Sequence, residues 1–208
     1  MSYAVKEIFL TLQGEGVQSG RRAVFLRFAG CNLWTGREQD RAKAECNFCD
    51  TDFVGMDGEN GGRYGAAELA ERVDSLWGSG SDKLVVITGG EPLLQLDCAL
   101  IEALHQRGFA IAVESNGTIA APPGIDWLCI SPKGRTQVVQ RSGNELKLVW
   151  PQSEVDPDAL VGWDFEHFLI QPKDGADREQ ALEAAIHFVM TNPRWKLSLQ
   201  THKYLGLP

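Results

Sequence analysis

The segment KLVVITGGEPLLQLDCALIEALHQRGFAIAVE, residues 83–114, decides the fold class. Two short apolar runs, KLVVIT and FAIAVE, each precede polar or glycine-rich residues, and a helical pattern over residues 94–107 separates them. Apolar runs bounded in this way are typical of buried β-strands, and a helix is the usual connection between parallel strands. The segment therefore predicts a strand–helix–strand unit with parallel strands.

The same alternation extends over most of the chain. Further strands are predicted at AVFLRF, WLCI, ELKLV, HFLI and KLSLQ, and further helices at AAELAERVDSLW and residues 178–190. Such alternation indicates an α/β fold with a parallel sheet, and we predict a partial (β/α) barrel of the TIM type. Loops at the carboxyl ends of its strands would gather ligands. A length of 208 residues suits one domain, residues 1–208.

Composition excludes several classes of function. The net charge is −8 and no basic stripe is present, which argues against a nucleic-acid partner, because such a protein must neutralise phosphates. No stretch approaches the roughly 18 apolar residues of a membrane helix, and the N-terminus lacks the pattern of a targeting peptide. We therefore expect a cytoplasmic protein without membrane association that acts on a small molecule.

Polar residues inside two predicted strands indicate a wet interior. Glu145 and Lys147 alternate with leucines in one strand. In the last strand, Lys196, Ser198, Gln200 and His202 alternate with Leu197, Leu199 and Thr201. One face of the sheet would then look into a polar lumen. For the last strand, an edge position with a solvated face is an equally good interpretation.

Arg27 interrupts the apolar run AVFLRF. A buried guanidinium needs an anion, because an unpaired buried charge is costly. The sequence therefore predicts a carboxylate-bearing ligand or a partner glutamate beside Arg27, unless the residue lies at a surface edge.

Three of the five cysteines are close together in the sequence. Fourteen residues separate Cys31 from Cys46, and two separate Cys46 from Cys49. A structural zinc site normally takes four protein ligands, and no histidine stands at a suitable spacing. Three thiolates instead suit a [4Fe–4S] cluster whose fourth iron is free to bind S-adenosylmethionine. Cys98 and Cys129 lie in apolar patterns and are interpreted as small core residues.

Two further features are similar to radical S-adenosylmethionine enzymes. These usually carry Cys-x3-Cys-x2-Cys, so the first gap here is widened. Phe48 stands where an aromatic residue commonly packs near the adenine, and TGGEP, residues 88–92, resembles the segment that receives the methionine amino group. Glycines in such a loop allow close approach of the backbone to a ligand.

The order and separation of several motifs resemble the 7-carboxy-7-deazaguanine synthase family of radical S-adenosylmethionine enzymes over nearly the whole chain. The motifs are LQGEG from Leu12, Arg27, the wide cysteine gap, CDT from Cys49, TGGEP, ESNGT, SPK and QPKDG. Lys173 departs from the apolar residue expected there. The resemblance implies a partial barrel of the radical S-adenosylmethionine type and a carbon–nitrogen lyase of queuosine and deazapurine biosynthesis. Its reaction would convert 6-carboxy-5,6,7,8-tetrahydropterin into 7-carboxy-7-deazaguanine and ammonia, with S-adenosylmethionine regenerated.

The resemblance also implies roles for individual residues. Cys31, Cys46 and Cys49 would hold the [4Fe–4S] cluster, and Thr51 would hold a Mg²⁺ ion on the substrate carboxylate. S-adenosylmethionine would contact Phe48, Cys49, Asp50, Gly90, Glu91, Ser131, Pro132, Lys133, Gln171, Pro172, Lys173 and Asp174. The pterin would contact Leu12, Gln13, Gly14, Glu15, Arg27, Thr88, His202 and Pro208. Glu114 and Asn116 end a strand on the same rim without an assigned role.

The resemblance also implies partners, and two other functions remain open. The family implies a homodimer and a flavodoxin-like or other low-potential electron donor. One rival is an activating enzyme that generates a glycyl radical in a partner protein, and it would leave the wide cysteine gap unexplained. The other is a non-catalytic module stabilised by zinc, which would contain zinc without acid-labile sulfide.

Overall fold

The computed structural model describes residues 2–208, which form one nine-stranded sheet with helices packed against it. The strands are β1 (Tyr3–Leu12), β2 (Arg22–Phe28), β3 (Gly62–Tyr64), β4 (Leu84–Gly89), β5 (Ala110–Ser115), β6 (Trp127–Ile130), β7 (Ser142–Trp150), β8 (Asp164–Pro172) and β9 (Trp195–Leu197). The helices are α1 (Ala66–Trp77), α2 (Cys98–His105), α3 (Pro157–Leu160), α4 (Arg178–Thr191) and α5 (Thr201–Leu205). Two 3₁₀ helices cover Glu38–Lys43 and Pro92–Leu94.

The sheet has the order β3-β1-β2-β4-β5-β6-β7-β8-β9. Pairing is parallel from β2 through β9, and β1 and β3 are added antiparallel at one side. The predicted α/β partial barrel is therefore confirmed. Because the parallel strands run in one direction, their carboxyl ends lie along one edge, where the predicted site residues follow.

Apolar side chains bury one face of the sheet beneath the helices. The helix α1 turns Leu69, Val73 and Trp77 inward, and α2 contributes Leu100 and Leu104. These residues belong to one apolar cluster together with inward residues of β1, β2, β4 and β5. The opposite face of β7 carries the buried charged residues Glu145 and Lys147, as the alternation in the sequence predicted.

Three local expectations need correction. The helical pattern of residues 94–107 is divided, because Asp97 caps a new helix, and its carboxylate accepts a hydrogen bond from Leu100 N at 3.1 Å. Cys98 is consequently at an exposed first turn and not in the core, whereas Cys129 is buried as predicted. The last strand ends at Leu197, and the chain then forms α5.

No helix within residues 2–208 combines the length and the apolar character needed to cross a bilayer.

Candidate active site

A cavity of about 330 Å³ lies at the carboxyl ends of the parallel strands. Every predicted site residue except Glu91 and Pro132 lines it. The lining members are Leu12, Gln13, Gly14, Glu15, Arg27, Cys31, Cys46, Phe48, Cys49, Asp50, Thr51, Thr88, Gly90, Ser131, Lys133, Gln171, Pro172, Lys173, Asp174, His202 and Pro208. The fold thus places Leu12, near the start of the sequence, and Pro208, its last residue, in the wall of the same cavity.

The three cysteines form one rim of this cavity. Cys31 follows β2, and Cys46 and Cys49 follow the 3₁₀ helix that occupies part of the wide gap. The hydrogen bond between the thiols of Cys46 and Cys49 raises the pKa of Cys46 and lowers the pKa of Cys49 to about 6. Burial raises the pKa of Cys31. Of the three thiols, only Cys49 has a lowered pKa, and the thiolate is the form that binds iron.

These thiols suit a cluster better than a single ion. Within residues 2–208, no group of three or more His, Cys, Asp or Glu side chains is arranged to hold one metal ion. In an iron–sulfur cluster each thiolate binds a different iron, so the three sulfur atoms need not converge on one point. The three thiols on the cavity rim therefore fit a [4Fe–4S] cluster, which Cys31, Cys46 and Cys49 would hold.

The loop after β4 brings backbone close to this rim. A Cβ atom added to Gly90 would lie 2.6 Å from the Cβ of Cys31, so only glycine allows this approach. Glu91 turns away from the cavity and is fully buried. Its carboxylate accepts hydrogen bonds from Ser115 Oγ at 2.9 Å and from Asn116 N at 2.8 Å. The Glu91 side chain therefore holds the ends of β4 and β5 together, and the cavity wall here is the backbone of the two glycines.

The loop after β6 forms the opposite side of the rim. Lys133 Nζ donates to Ser131 Oγ at 2.6 Å and lies 5.7 Å from the centre of the Phe48 ring. Pro132 does not line the cavity; its carbonyl accepts a hydrogen bond from Gln152 Nε2 at 3.3 Å. A cation next to an aromatic face gives this wall both charge and a flat stacking surface.

A lysine on α5 connects two loops at the mouth of the cavity. Lys203 Nζ lies 2.6 Å from a carboxylate oxygen of Asp50 and 2.6 Å from one of Asp174. We call these three residues the outer lysine bridge. The same helix carries His202 against Gly14, where an added Cβ would lie 2.7 Å from His202 Cγ. The C-terminal helix therefore closes over both the cluster loop and the loop after β8.

A second lysine lies between two carboxylates deep in the cavity. Lys147 Nζ is 2.5 Å from Glu15 Oε2 and 3.1 Å from Glu114 Oε2. We call these three residues the inner lysine bridge. Burial alone would raise the pKa of Glu15, but the charge and hydrogen bond of Lys147 outweigh it and lower that pKa to about 2. Burial also opposes the charge of Lys147, but Glu114 and Glu15 raise its pKa well above the usual value.

Arg27 faces the cavity from β2 and has a glutamate partner. Its Nε donates to Glu7 Oε1 at 2.7 Å, and the two residues are opposite each other in the antiparallel pairing of β1 with β2. Thr88 is its neighbour on β4. The partner glutamate foreseen from the sequence is thus present, and the guanidinium remains in the cavity wall, where a ligand carboxylate can reach it.

Several cavity residues were not predicted as site residues. Lys147 was expected only to face a lumen, and the alternation along β7 was its signal. The alternation in the predicted last strand was likewise the signal for Gln200. Glu7 and Lys203 had no such signal, because each is placed by a contact with a segment distant in sequence. Glu114 and Asn116, for which no role was predicted, both line the cavity.

An open, largely parallel α/β barrel with three cysteines and a glycine loop at the carboxyl edge defines a radical S-adenosylmethionine enzyme. No protein-family model matches the chain. It is 63% identical to the 7-carboxy-7-deazaguanine synthase of Caulobacter vibrioides and 59% identical to that of Bordetella pertussis, with all of each chain covered. The crystal structure of QueE from Escherichia coli has a TM-score of 0.75, with 26% identity, 97% of this chain and 95% of that chain covered. The chain belongs to the 7-carboxy-7-deazaguanine synthase family.

Proposed function

We propose that the protein converts 6-carboxy-5,6,7,8-tetrahydropterin into 7-carboxy-7-deazaguanine with release of ammonia, as a carbon–nitrogen lyase of queuosine biosynthesis. The observation that carries this proposal is one cavity that joins the cysteine rim to Arg27 and to the acidic inner lysine bridge. A flat bicyclic substrate with a carboxylate at one end and N–H donors at the other is complementary to such a cavity.

The cofactor end of the cavity would be formed by the cysteine rim and the surrounding loops. When bound there, the [4Fe–4S] cluster and S-adenosylmethionine supply the radical chemistry that removes hydrogen from C6 of the substrate. Phe48 would stack on the adenine, and the backbone at Gly90 would accept from the methionine amino group. Ser131 and Lys133, with Asp50 and residues 171–174, would complete the binding set.

The substrate end would orient the pterin by charge. Arg27 would bind the substrate carboxylate, because a guanidinium pairs with a carboxylate through two parallel hydrogen bonds. Glu15, which is ionised and acts only as an acceptor, would receive N–H groups of the pyrimidine ring. Residues 12–14, Thr88, His202 and Pro208 would enclose the ring and exclude water from the reacting carbon.

We also propose that Thr51 contributes its hydroxyl to a Mg²⁺ ion shared with the substrate carboxylate. Mg²⁺ is a hard cation that often binds through one or two protein groups, substrate oxygens and water. Thr51 lies in the cavity wall two residues after Cys49, and its hydroxyl would be the protein's one ligand to this ion.

The physiological setting that we propose is a cytoplasmic homodimer in which each chain is one domain. A flavodoxin-like or other low-potential donor would reduce the cluster.

The test is product analysis under anaerobic conditions with 6-carboxytetrahydropterin, S-adenosylmethionine and a reductant. We expect one ammonia for each 7-carboxy-7-deazaguanine, with S-adenosylmethionine nearly undiminished and with turnover lost in chelator and restored by Mg²⁺. Consumption of one S-adenosylmethionine for each product would contradict its regeneration. Zinc without acid-labile sulfide, or a persistent radical in an added partner protein, would favour one of the rival functions instead.

A further inference from the structure

The inner lysine bridge has a buried ammonium and two carboxylates that are only slightly exposed to the cavity. The Lys147 side chain is 4% exposed, that of Glu15 is 15% exposed and that of Glu114 is 22% exposed. Lys147 comes from β7, Glu114 from β5 and Glu15 from the loop after β1. A buried ammonium that joins three segments fixes their relative positions, since each ion would be costly without its partner.

The charges of this region do not balance. Glu145 lies beside the bridge on β7, is buried, and accepts a hydrogen bond from Val17 N at 2.9 Å. Glu145 does not line the cavity, but in the wall itself two carboxylates share one ammonium. Among residues 2–208, Lys147 is the only salt-bridge partner of Glu15 and Glu114. The deep wall consequently has an excess of acceptors, which suits a ligand that brings hydrogen-bond donors.

The two carboxylates of the bridge retain capacity for such donors. Glu15 receives Lys147 and Gln200 Nε2 at 2.9 Å, and Glu114 receives Lys147 and Gln13 Nε2 at 2.9 Å. A carboxylate accepts up to about four hydrogen bonds, so each has room for further donors from the cavity. Both residues line the cavity, which makes that remaining capacity accessible to a ligand.

We propose that Lys147 is a positioning and specificity residue that holds Glu15 and Glu114 as one fixed pair of acceptors for the amino and ring N–H groups of the substrate pyrimidine. This inference rests on the proposed function and adds to it a role for Lys147 and for Glu114. Without the lysine, two neighbouring buried carboxylates would repel each other, and one of them would take up a proton. A protonated carboxyl group donates a hydrogen bond. It would therefore face the N–H donors of the substrate with another donor, where an acceptor is needed.

The test compares binding of 6-carboxypterin and 6-carboxylumazine to the cluster-loaded protein with S-adenosylmethionine present, under anaerobic conditions. Both compounds keep the carboxylate, but the lumazine has a carbonyl where the pterin has its amino group. We expect the wild-type protein to prefer the pterin by about tenfold or more, because a site built to accept a hydrogen bond rejects a ligand that lacks the donor.

The variants are Lys147→Met and Lys147→Arg, with Lys83→Met as a matched control. Lys83 pairs with Asp74 at 2.5 Å but does not line the cavity. We expect Lys147→Met to weaken pterin binding about 30-fold or more, and lumazine binding much less, so that the preference is lost. Lys147→Arg should retain part of the preference because it keeps the charge, and Lys83→Met should retain all of it.

A purely structural role would give a different result. If Lys147→Met weakens both compounds equally or weakens neither, the proposed role of Lys147 is wrong. If that variant does not fold, Lys147→Gln replaces it, because its amide can still donate to a carboxylate but carries no charge. A folded Lys147→Gln protein that keeps the full pterin preference would equally overturn the role. A wild-type protein that binds neither compound would instead contradict the proposed function itself.

Discussion

The inner lysine bridge has two glutamates and the outer one two aspartates, but the two bridges differ most in their surroundings. In each, one lysine lies between two carboxylates, at 2.5 and 3.1 Å for Lys147 and at 2.6 Å twice for Lys203. The Lys147 side chain is 4% exposed and that of Lys203 is 36% exposed. Water and salt screen the outer bridge, whereas the inner bridge acts through the low dielectric of the interior.

The difference in exposure suits the two bridges to different roles in the same cavity. A buried bridge is rigid because breaking it leaves uncompensated charge, so it suits a wall that must present fixed acceptors. A partly exposed bridge contributes little to stability and can open at small cost. Since α5 holds the outer bridge across the cluster loop and the loop after β8, we interpret that bridge as a closure of the mouth.

The largest effect should come from removing the cluster ligands, which disables the rim beside the outer bridge while the inner bridge stays intact. We expect Cys31→Ala, Cys46→Ala or Cys49→Ala each to abolish cluster assembly, because no other thiol in the described part of the chain, residues 2–208, lines the cavity. Cys98→Ala and Cys129→Ala serve as controls with normal iron and sulfide. Full iron and sulfide content in any one of the first three variants would refute the ligand assignment.

The next largest effect should come from Glu15→Gln, which breaks the inner bridge. Removing one partner of a buried pair costs roughly 3–5 kcal/mol of unfolding free energy, although the shared Glu114 should keep this cost near the lower end. Denaturant unfolding measures it, with Asp74→Asn at the more exposed Lys83 pair as the control. Equal losses in the two variants would mean that burial does not distinguish these pairs.

Acid should weaken the same bridge in a defined direction. Lys147 lowers the pKa of Glu15 to about 2, so the stabilisation is present above the unfolded pKa of about 4.3 and is lost as pH falls towards 2. The wild-type protein should therefore lose more stability than Glu15→Gln between pH 5 and pH 2. Parallel pH profiles of unfolding free energy for the two proteins would show that Glu15 is not held ionised.

Arg27 is intermediate between the bridges in exposure, with 18% of its side chain exposed, and its variants should have an intermediate effect. We expect Arg27→Ala to reduce kcat/KM by about 10- to 150-fold, from a charge-assisted hydrogen bond of about 1.5–3 kcal/mol. Lysine should restore only part of this, because it lacks the two-pronged geometry. Cluster content should stay normal, and an equal effect on an analogue without the carboxylate would exclude the proposed contact.

The smallest effect should come from Lys203→Met, which opens the outer bridge. We expect the KM for S-adenosylmethionine to rise about two- to fivefold at low salt, as for other exposed ion pairs. This difference should shrink at high salt, where the wild-type bridge is already screened. The melting temperature should change little. A salt-independent effect, or one as large as that of Lys147→Met on substrate binding, would remove the distinction between the two bridges.

Local patterns in the sequence determined much of the fold and of the cofactor rim. The strands β4 and β5, the helix α4 and the clustering of three cysteines follow from apolar runs, helical periodicity and spacing that lie within short segments. The strand β1 was not recognised, and a register irregularity between Val5 and Glu7 interrupts its alternation of buried and exposed residues. Where the period is broken, local sequence no longer indicates a strand.

The tertiary structure alone decided which charges meet. The pairing of Glu7 with Arg27 depends on the register of β1 against β2, and Lys147 meets Glu15 and Glu114 only because three distant segments converge. Asp50 and Asp174 likewise find Lys203 through the position of α5. Residue type determines that a charge needs a partner, but the partner and its burial depend on long-range packing, and burial sets the strength of the interaction.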